Sequence, residues 1–142
     1  MLIILEGPDG VGKTTIAKRL ARILNGKIVH CTKDTPNDMS YFRSILYASE
    51  EQFIIADRFC YGQFVYQSEE ERKLTQEDLY RLEAEMLSYG AKVVYVKASP
   101  KTIASRLNKR GEIPLLTPEE MIATFDYVMS KITLPIEIWR NE

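Results

Sequence analysis

The sequence has few cysteine and histidine residues, 2 and 1 respectively among 142. Two cysteines, Cys31 and Cys60, are too few for a disulfide framework or a structural zinc site. Each is therefore predicted to be a free, half-buried thiol. The single histidine, His30, ends a predicted strand, and we expect it to have no functional role. Chemistry that relies on clusters of thiolates or imidazoles is excluded by these counts.

An excess of charge of either sign is also missing, because 19 basic side chains balance 20 acidic ones. This balance argues against non-specific nucleic-acid binding as the main activity, without excluding a local basic site. No apolar run is long enough to span a bilayer, and the N-terminal stretch MLIILEGPDG lacks the basic start of a signal peptide. We therefore predict a cytoplasmic protein that has no membrane partner.

Apolar runs alternate with amphipathic segments along the chain. An uninterrupted run over Leu2–Leu5 is typical of a strand buried on both faces. In the next segment Ile16, Leu20, Ile23 and Leu24 recur at helical spacing. The predicted strands contain the sequences LIIL, KIVH, QFIIAD, KVVYVK and LPIEIW. The alternation predicts a mainly parallel sheet of about five strands with helices on both faces, within a single domain over residues 1–142.

Signals for helix starts occur in the second half of the chain. Thr75 and Asp78 form a capping signature, in which each side chain can accept a backbone N–H of the other residue. Ser99–Pro100 and Thr117–Pro118 each place a capping hydroxyl before a proline, which suits the first helical turn. Three helices are therefore predicted to begin at these positions, and the aromatic stretch Arg58–Gln67 is predicted to form at most a short helix.

The stretch LEGPDGVGKTT, over residues 5–15, carries the strongest chemical signal. Gly7, Gly12, Lys13 and Thr14 fit the pattern G-x-x-x-x-G-K-[ST], between a buried strand and an amphipathic helix. The glycines let backbone N–H groups surround phosphate oxygens, and the helix N-terminus adds partial positive charge. We predict a three-layer P-loop NTPase fold that binds ATP. The predicted ATP-binding residues of the loop are Gly7, Asp9, Gly10, Val11, Gly12, Lys13, Thr14 and Thr15.

A carboxylate and an arginine follow the third predicted strand. Asp57 ends the run FIIAD, so it should lie at the carboxyl edge of the sheet, where open α/β folds bind ligands. With the Thr14 hydroxyl it is predicted to hold Mg²⁺, because Mg²⁺ prefers oxygen ligands and retains several waters. Arg58 can bind a phosphate through both arms of its guanidinium. The alternatives are a helix cap for Asp57 and a surface ion pair for Arg58.

Three stretches together resemble the thymidylate kinase branch of the nucleoside monophosphate kinases. LEGPDGVGKTT is similar to that family's E-G-x-D-G-x-G-K-T-T loop. DRFCYGQFVYQ is similar to its D-R-[YF]-x-x-S-x-x-A-Y-Q element, and SRLNKRGE resembles the start of its arginine-bearing lid. The resemblance implies phosphoryl transfer from ATP, with Mg²⁺, to a nucleoside monophosphate such as dTMP. It also implies a homodimer.

The resemblance further implies a role for individual residues of the acceptor site. Asp9 would contact the sugar 3′-hydroxyl, Tyr66 would press on the sugar, and Gln67 would lie near the base. Arg58 would bind the acceptor and transferring phosphates, while Asp57 would serve the metal and the reaction centre. Arg43, flanked by Phe42 and close to Tyr47, is the candidate for reading the base edge.

The lid, defined here as residues 106–117, would close over the ATP phosphates through Arg106 and Arg110, with Lys109 as a third candidate. The family's P-loop arginine is absent, so a lid arginine would have to neutralise charge in the transition state. The predicted catalytic residues are Lys13, Asp57, Arg58 and Arg110.

Simpler interpretations remain for several of these residues. Tyr66 and Gln67 could be a helix end that packs on the core, and Asp9 could cap its own loop. Arg106 and Arg110 lie four residues apart and could form a solvated helix face.

The sequence also departs from the family pattern in ways that leave the acceptor open. Gly62 stands where a serine is expected and Val65 where an alanine is expected, and family members are usually longer. A P-loop kinase acting on another acceptor, such as a modified base or a terminus in DNA, is therefore a second hypothesis. A non-catalytic nucleotide-binding module is a third. A GTPase switch is disfavoured because the guanine-reading pattern N-K-x-D is absent.

Overall fold

A computed structural model describes residues 1–142, and its core is one parallel five-stranded sheet with the strand order β2-β3-β1-β4-β5. All four strand pairs are parallel. The strands are β1 Leu2–Glu6, β2 Lys27–His30, β3 Ile54–Asp57, β4 Lys92–Lys97 and β5 Ile136–Arg140. The predicted three-layer α/β fold of P-loop NTPases, with helices on both faces of a parallel sheet, is confirmed.

Helices cover both faces of this sheet. They are α1 Lys13–Leu24, α2 Met39–Ala48, α3 Gly62–Tyr66, α4 Gln76–Ser88, α5 Pro100–Lys109 and α6 Pro118–Ser130. Helices α1 and α5 pack on one face, and α2 and α4 pack on the other. Because side chains alternate along a strand, Leu2 and Ile4 of β1 join the second face while Leu5 joins the first. The apolar run of β1 is continuous for this reason.

The predicted helix starts are present in the structure. Thr75 Oγ1 accepts the Asp78 N–H at 3.0 Å, and the Asp78 carboxylate accepts the Thr75 N–H at 3.0 Å, which completes a capping box. Ser99 and Thr117 accept the first-turn N–H groups of α5 and α6 in the same way. The aromatic stretch after β3 forms only the five-residue helix α3.

Two predictions of burial need correction. Ile23 shares the helical spacing of Ile16 and Leu20 but is 77% exposed, because the inner face of α1 passes through Ile16, Ala17, Leu20 and Ala21. Cys31 and Cys60 are free, as predicted, but they are fully rather than half buried, since both belong to the larger core cluster. No helix combines the length and the apolar character that a bilayer crossing needs.

The strand order determines where a site can form. The chain leaves the central strand β1 to build β2 and β3 on one side and β4 and β5 on the other. The carboxyl ends of all the strands meet at one edge, and the crevice next to β1 is where such a sheet binds ligands. Glu6, His30, Asp57 and Arg140 are the last residues of strands at this edge.

Candidate active site

The P-loop connects β1 to α1 and depends on glycine at several positions. Gly7, Gly10 and Gly12 have φ angles of 149°, 87° and 92°, in the region that side chains rarely adopt. A Cβ atom at Gly7 would also collide with the carbonyl oxygen of Val96 in β4. The loop therefore needs a residue without a side chain where its backbone contacts the neighbouring strand.

The lysine of the loop is buried and makes hydrogen bonds to the loop's own backbone. Lys13 Nζ donates hydrogen bonds to the carbonyl oxygens of Gly7, at 2.6 Å, and Pro8, at 2.9 Å. Burial and, less strongly, the nearby charge of Arg58 together lower the pKa of Lys13 to about 8, although the carboxylates of Asp9 and Asp57 act to raise it. A phosphate placed in the loop would supply the counter-charge that the carbonyl groups supply only in part.

The first helical turn of α1 meets the end of β3 through one hydrogen bond. Thr14 Oγ1 donates to Asp57 Oδ2 at 2.8 Å, and Asp57 is buried. A hydroxyl and a carboxylate are oxygen ligands of the kind that Mg²⁺ prefers, so the pair fits this ion. No group of three or more His, Cys, Asp or Glu side chains is arranged to hold a metal. Nucleotide phosphates and water would supply the remaining ligands of such an ion.

The predicted acceptor-site residues Asp9, Arg58 and Tyr66 lie together. The Arg58 guanidinium donates a hydrogen bond to Asp9 Oδ1 and lies over the Tyr66 ring, 5.1 Å from its centroid. Burial acts to lower the pKa of Arg58, but the Asp9 carboxylate and its neighbours raise it overall. Arg58 is therefore a permanent positive charge, held on one side by a carboxylate and on the other by an aromatic face.

Two cavities flank these residues. The loop cavity, of about 690 Å³, is lined by P-loop residues together with Arg106, Lys109 and Arg110. The lid cavity, of about 620 Å³, is lined by Tyr66 and Gln67 together with lid residues. Four residues line both cavities, and they mark where the two meet: Asp9, His30, Arg58 and Glu112.

The lid is short and lacks a helix of its own beyond the end of α5. Arg106 Nη1 donates to the Gly10 carbonyl at 3.1 Å, so this arginine already contacts the P-loop. Arg110 is exposed and lies 3.7 Å from a Glu112 carboxylate oxygen. Ile113 and Leu115 line the lid cavity but are 95% and 104% exposed, so the lid presents apolar side chains to solvent.

Arg43 is not brought to either cavity. Its Nε donates to both carboxylate oxygens of Glu85 at 3.0 Å, in an ion pair between α2 and α4. Phe42 is fully buried against Phe59, and Tyr47 packs on Tyr89. The geometry therefore gives Arg43 a structural role in holding two helices together, and we leave it out of the proposed site.

Two residues at the sheet edge were not predicted as part of the site. His30, expected to have no functional role, lines both cavities with its Nε2 3.9 Å from Asp57 Oδ2. Asn141 lines the loop cavity and donates to the Val11 carbonyl of the P-loop at 2.9 Å. Each is at or next to the end of a strand, so the rule that ligands bind at the carboxyl edge would have found both.

The fold and the P-loop define a class, which is the P-loop NTPase fold. A family model described as an AAA domain of the dynein-related subfamily matches residues 2–53, the segment that holds the P-loop. A deoxyadenosine kinase from M. mycoides has a TM-score of 0.61 at 21% identity, over 99% of this chain and 90% of that chain. A thymidylate kinase from Candida albicans has a TM-score of 0.54 at 16% identity, over 98% and 82%. These two likenesses concern the fold alone.

A closer likeness is to the YorR protein from Bacillus subtilis, whose crystal structure contains phosphorylated GDP. The two chains are 30% identical, with a TM-score of 0.83, over 99% of this chain and 86% of that chain. The chain therefore belongs to the same family as the YorR protein. No curated protein matches the sequence.

Proposed function

We propose that the protein is a thymidylate kinase-like nucleoside monophosphate kinase, which transfers a phosphoryl group from ATP to a deoxynucleotide, with dTMP as the first candidate. The observation that carries this proposal is the meeting of the two cavities at Arg58 and Asp9. A donor in the loop cavity and an acceptor in the lid cavity would present their phosphates to each other there. The nucleotide found in the YorR structure supports a nucleotide as ligand.

In this proposal the P-loop holds the donor. The N–H groups of the loop and the N-terminus of α1 bind the β- and γ-phosphates, and Lys13 leaves the Gly7 and Pro8 carbonyls to meet them. Thr14 and Asp57 would hold Mg²⁺, which neutralises phosphate charge. Arg106 and Arg110 would bring further positive charge from the lid.

The acceptor is positioned by Arg58. Its guanidinium would exchange the Asp9 carboxylate for the acceptor phosphate, and Tyr66 and Gln67 would contact the sugar and base. The acceptor phosphate is already anionic, so the reaction needs placement and charge stabilisation rather than a strong general base. Closure of the lid would exclude water and so suppress ATP hydrolysis.

The test is ADP release from MgATP in the presence of single candidate acceptors. The panel contains dTMP, dUMP, dGMP, dAMP and dCMP, their ribose forms, the matching nucleosides and a short DNA. Release that depends on one deoxynucleoside monophosphate supports the proposal and identifies the base. Release that depends on a nucleoside or on DNA would contradict the proposed acceptor and identify another one. His30 beside Asp57 would then be the first candidate general base to mutate.

The remaining finer expectations stay predictions of this proposal. They are a cytoplasmic location, a homodimer, and small-molecule nucleotides rather than nucleic acid as the main partners. Sedimentation of the purified protein with and without nucleotide would test the homodimer.

A further inference from the structure

Glu6 is a buried acid that has no role in the proposed binding of ATP or of the acceptor. It is the last residue of β1, directly before the P-loop, and it is 0% exposed. Its Oε2 accepts the backbone N–H groups of Phe59, at 3.1 Å, and Tyr61, at 3.3 Å. Its Oε1 is buried without a hydrogen-bond partner. Burial raises the pKa of Glu6 to about 7, so the side chain carries a proton far more readily than an ordinary glutamate.

The backbone that Glu6 holds is the turn that carries Arg58. Arg58 has a φ of 69°, a left-handed conformation that is uncommon for a residue other than glycine. Its N–H donates to the Leu5 carbonyl at 3.0 Å. The last two residues of β1 thus accept three backbone N–H groups of this turn, from Arg58, Phe59 and Tyr61. Such a conformation persists only where the surroundings over-determine it.

Apart from its hydrogen bond to the Leu5 carbonyl, the turn has other contacts that hold its side chains. The Tyr61 hydroxyl donates to Glu83 Oε2 at 2.7 Å, and the Phe59 ring packs against Phe42. Asp9 holds the guanidinium end of Arg58. Among side chains, only that of Glu6 accepts a backbone N–H between Arg58 and Tyr61.

We propose that Glu6 is a positioning residue, which accepts two backbone hydrogen bonds to fix the turn that directs Arg58 into the junction of the two cavities. It acts through geometry and not through charge. The strand that leads into the P-loop therefore also sets the acceptor arginine, so that one element aligns both halves of the site. The ligand that Arg58 meets rests on the function proposed above, whereas the fixing of the turn does not.

Substitutions of Glu6 separate hydrogen bonding from charge. Glu6→Gln keeps an oxygen acceptor and the shape of the side chain but removes the negative charge. Glu6→Leu keeps the volume and leaves the Phe59 and Tyr61 N–H groups without an acceptor. Leu82→Ala, at a fully buried position of α4, is the matched control, because it weakens the core cluster that contains Phe59 and Tyr61 but removes no hydrogen bond to the turn.

The first readout is amide hydrogen exchange at Phe59 and Tyr61, followed by NMR, which requires no activity. We expect Glu6→Leu to speed exchange at these amides at least about tenfold relative to the strands, since each loses its acceptor. Glu6→Gln should leave exchange close to that of the native protein. Leu82→Ala should not change these amides selectively. If Glu6→Leu does not fold, the native protein still decides, because unprotected Phe59 and Tyr61 amides would overturn the proposal.

The second readout is the steady-state kinetics of phosphoryl transfer. A misplaced arginine should raise the acceptor KM about tenfold to a hundredfold in Glu6→Leu, with the ATP KM changed by less than about twofold. Glu6→Gln should rescue the acceptor KM. Equal impairment of Glu6→Gln and Glu6→Leu would mean that charge is what counts, and the proposal would be wrong. If the native protein transfers no phosphoryl group to any acceptor, the proposed function fails while hydrogen exchange still decides the role of Glu6.

Discussion

The loop cavity and the lid cavity are joined at Arg58, yet they are built in different ways. Only 1 of the 16 residues that line the loop cavity is hydrophobic, against 8 of the 19 that line the lid cavity. Backbone amides and cations suit a polyphosphate, whereas a mixed surface suits a sugar and a base. In the proposed function the loop cavity, which is the donor half of the site, suits any polyphosphate, and the lid cavity, which is the acceptor half, has to supply the specificity.

The two halves also differ in how their side chains are held. In the donor half Lys13, Thr14 and Arg106 already make hydrogen bonds to loop carbonyls or to Asp57. In the acceptor half Ile113 and Leu115 stand in solvent. In the proposed function a donor would therefore meet side chains that hydrogen bonds hold in place, while an acceptor would have to draw the lid down.

The largest expected effect comes from the donor half. Lys13→Ala should reduce phosphoryl transfer by at least about a thousandfold, because it removes a buried positive charge from the transferring phosphates. Turnover is measured together with the melting temperature, which should show that the fold is kept. Lys18→Ala, an exposed lysine of the same helix, is the control. Native turnover by Lys13→Ala would contradict the assignment of the P-loop.

A change at the junction should affect the acceptor more than the donor. Arg58→Ala is expected to raise the acceptor KM about a hundredfold, since a charged, desolvated hydrogen bond is lost, while ATP binding changes little. Arg58→Lys should recover only part of this loss, because an ammonium cannot bind a phosphate through two parallel hydrogen bonds. Arg81→Ala, at an exposed ion pair of α4, is the control. Equal losses for ATP and acceptor would argue against a role in acceptor binding.

A pH series tests the donor half separately from the acceptor half and needs no mutation. The pKa of Lys13 in the free protein is lowered to about 8, so the lysine loses its proton as the pH rises through that value. Phosphate binds the charged form, so the dissociation constant of ATP should rise about tenfold for each pH unit above the pKa. The affinity is measured by calorimetry between pH 6 and about pH 9.5. The Lys13→Ala variant should show no such rise, and a flat profile in the native protein would contradict the prediction.

The smallest effect is expected in the lid. The double substitution of Ile113→Ser and Leu115→Ser should leave the melting temperature unchanged, because both side chains are exposed. Weaker closure should let water compete, so ATP hydrolysis without acceptor should rise about threefold relative to transfer. Ile23→Ser, at an exposed apolar residue of α1, is the control. An unchanged ratio would show that these side chains do not seal the site.

The donor half was open to prediction because its information is local. The pattern around Gly7 and Lys13 is contiguous, and the apolar run of β1 follows from burial on both faces of the sheet. Capping signatures at Thr75, Ser99 and Thr117 are equally local, and all three are present.

The acceptor half was harder to predict because it is assembled from loops that are distant along the chain. The ion pair of Arg43 with Glu85 cannot be read from spacing, since it depends on how α2 packs against α4. His30 reaches the site only because β2 lies parallel to β3, and in the donor half Asn141 reaches the loop cavity only because β5 lies parallel to β4. Tertiary arrangement rather than motif decides these positions.

The contact of Gly7 with Val96 has a consequence for mutational tolerance. A side chain at Gly7 would strike the backbone of β4, whereas one at Gly12 would strike the movable amide of Asn141. A library selected only for folding should therefore reject substitutions at Gly7 as firmly as one selected for catalysis, and should accept more of them at Gly12. Glycine at this position of the loop would then be required by the neighbouring strand as much as by the phosphate.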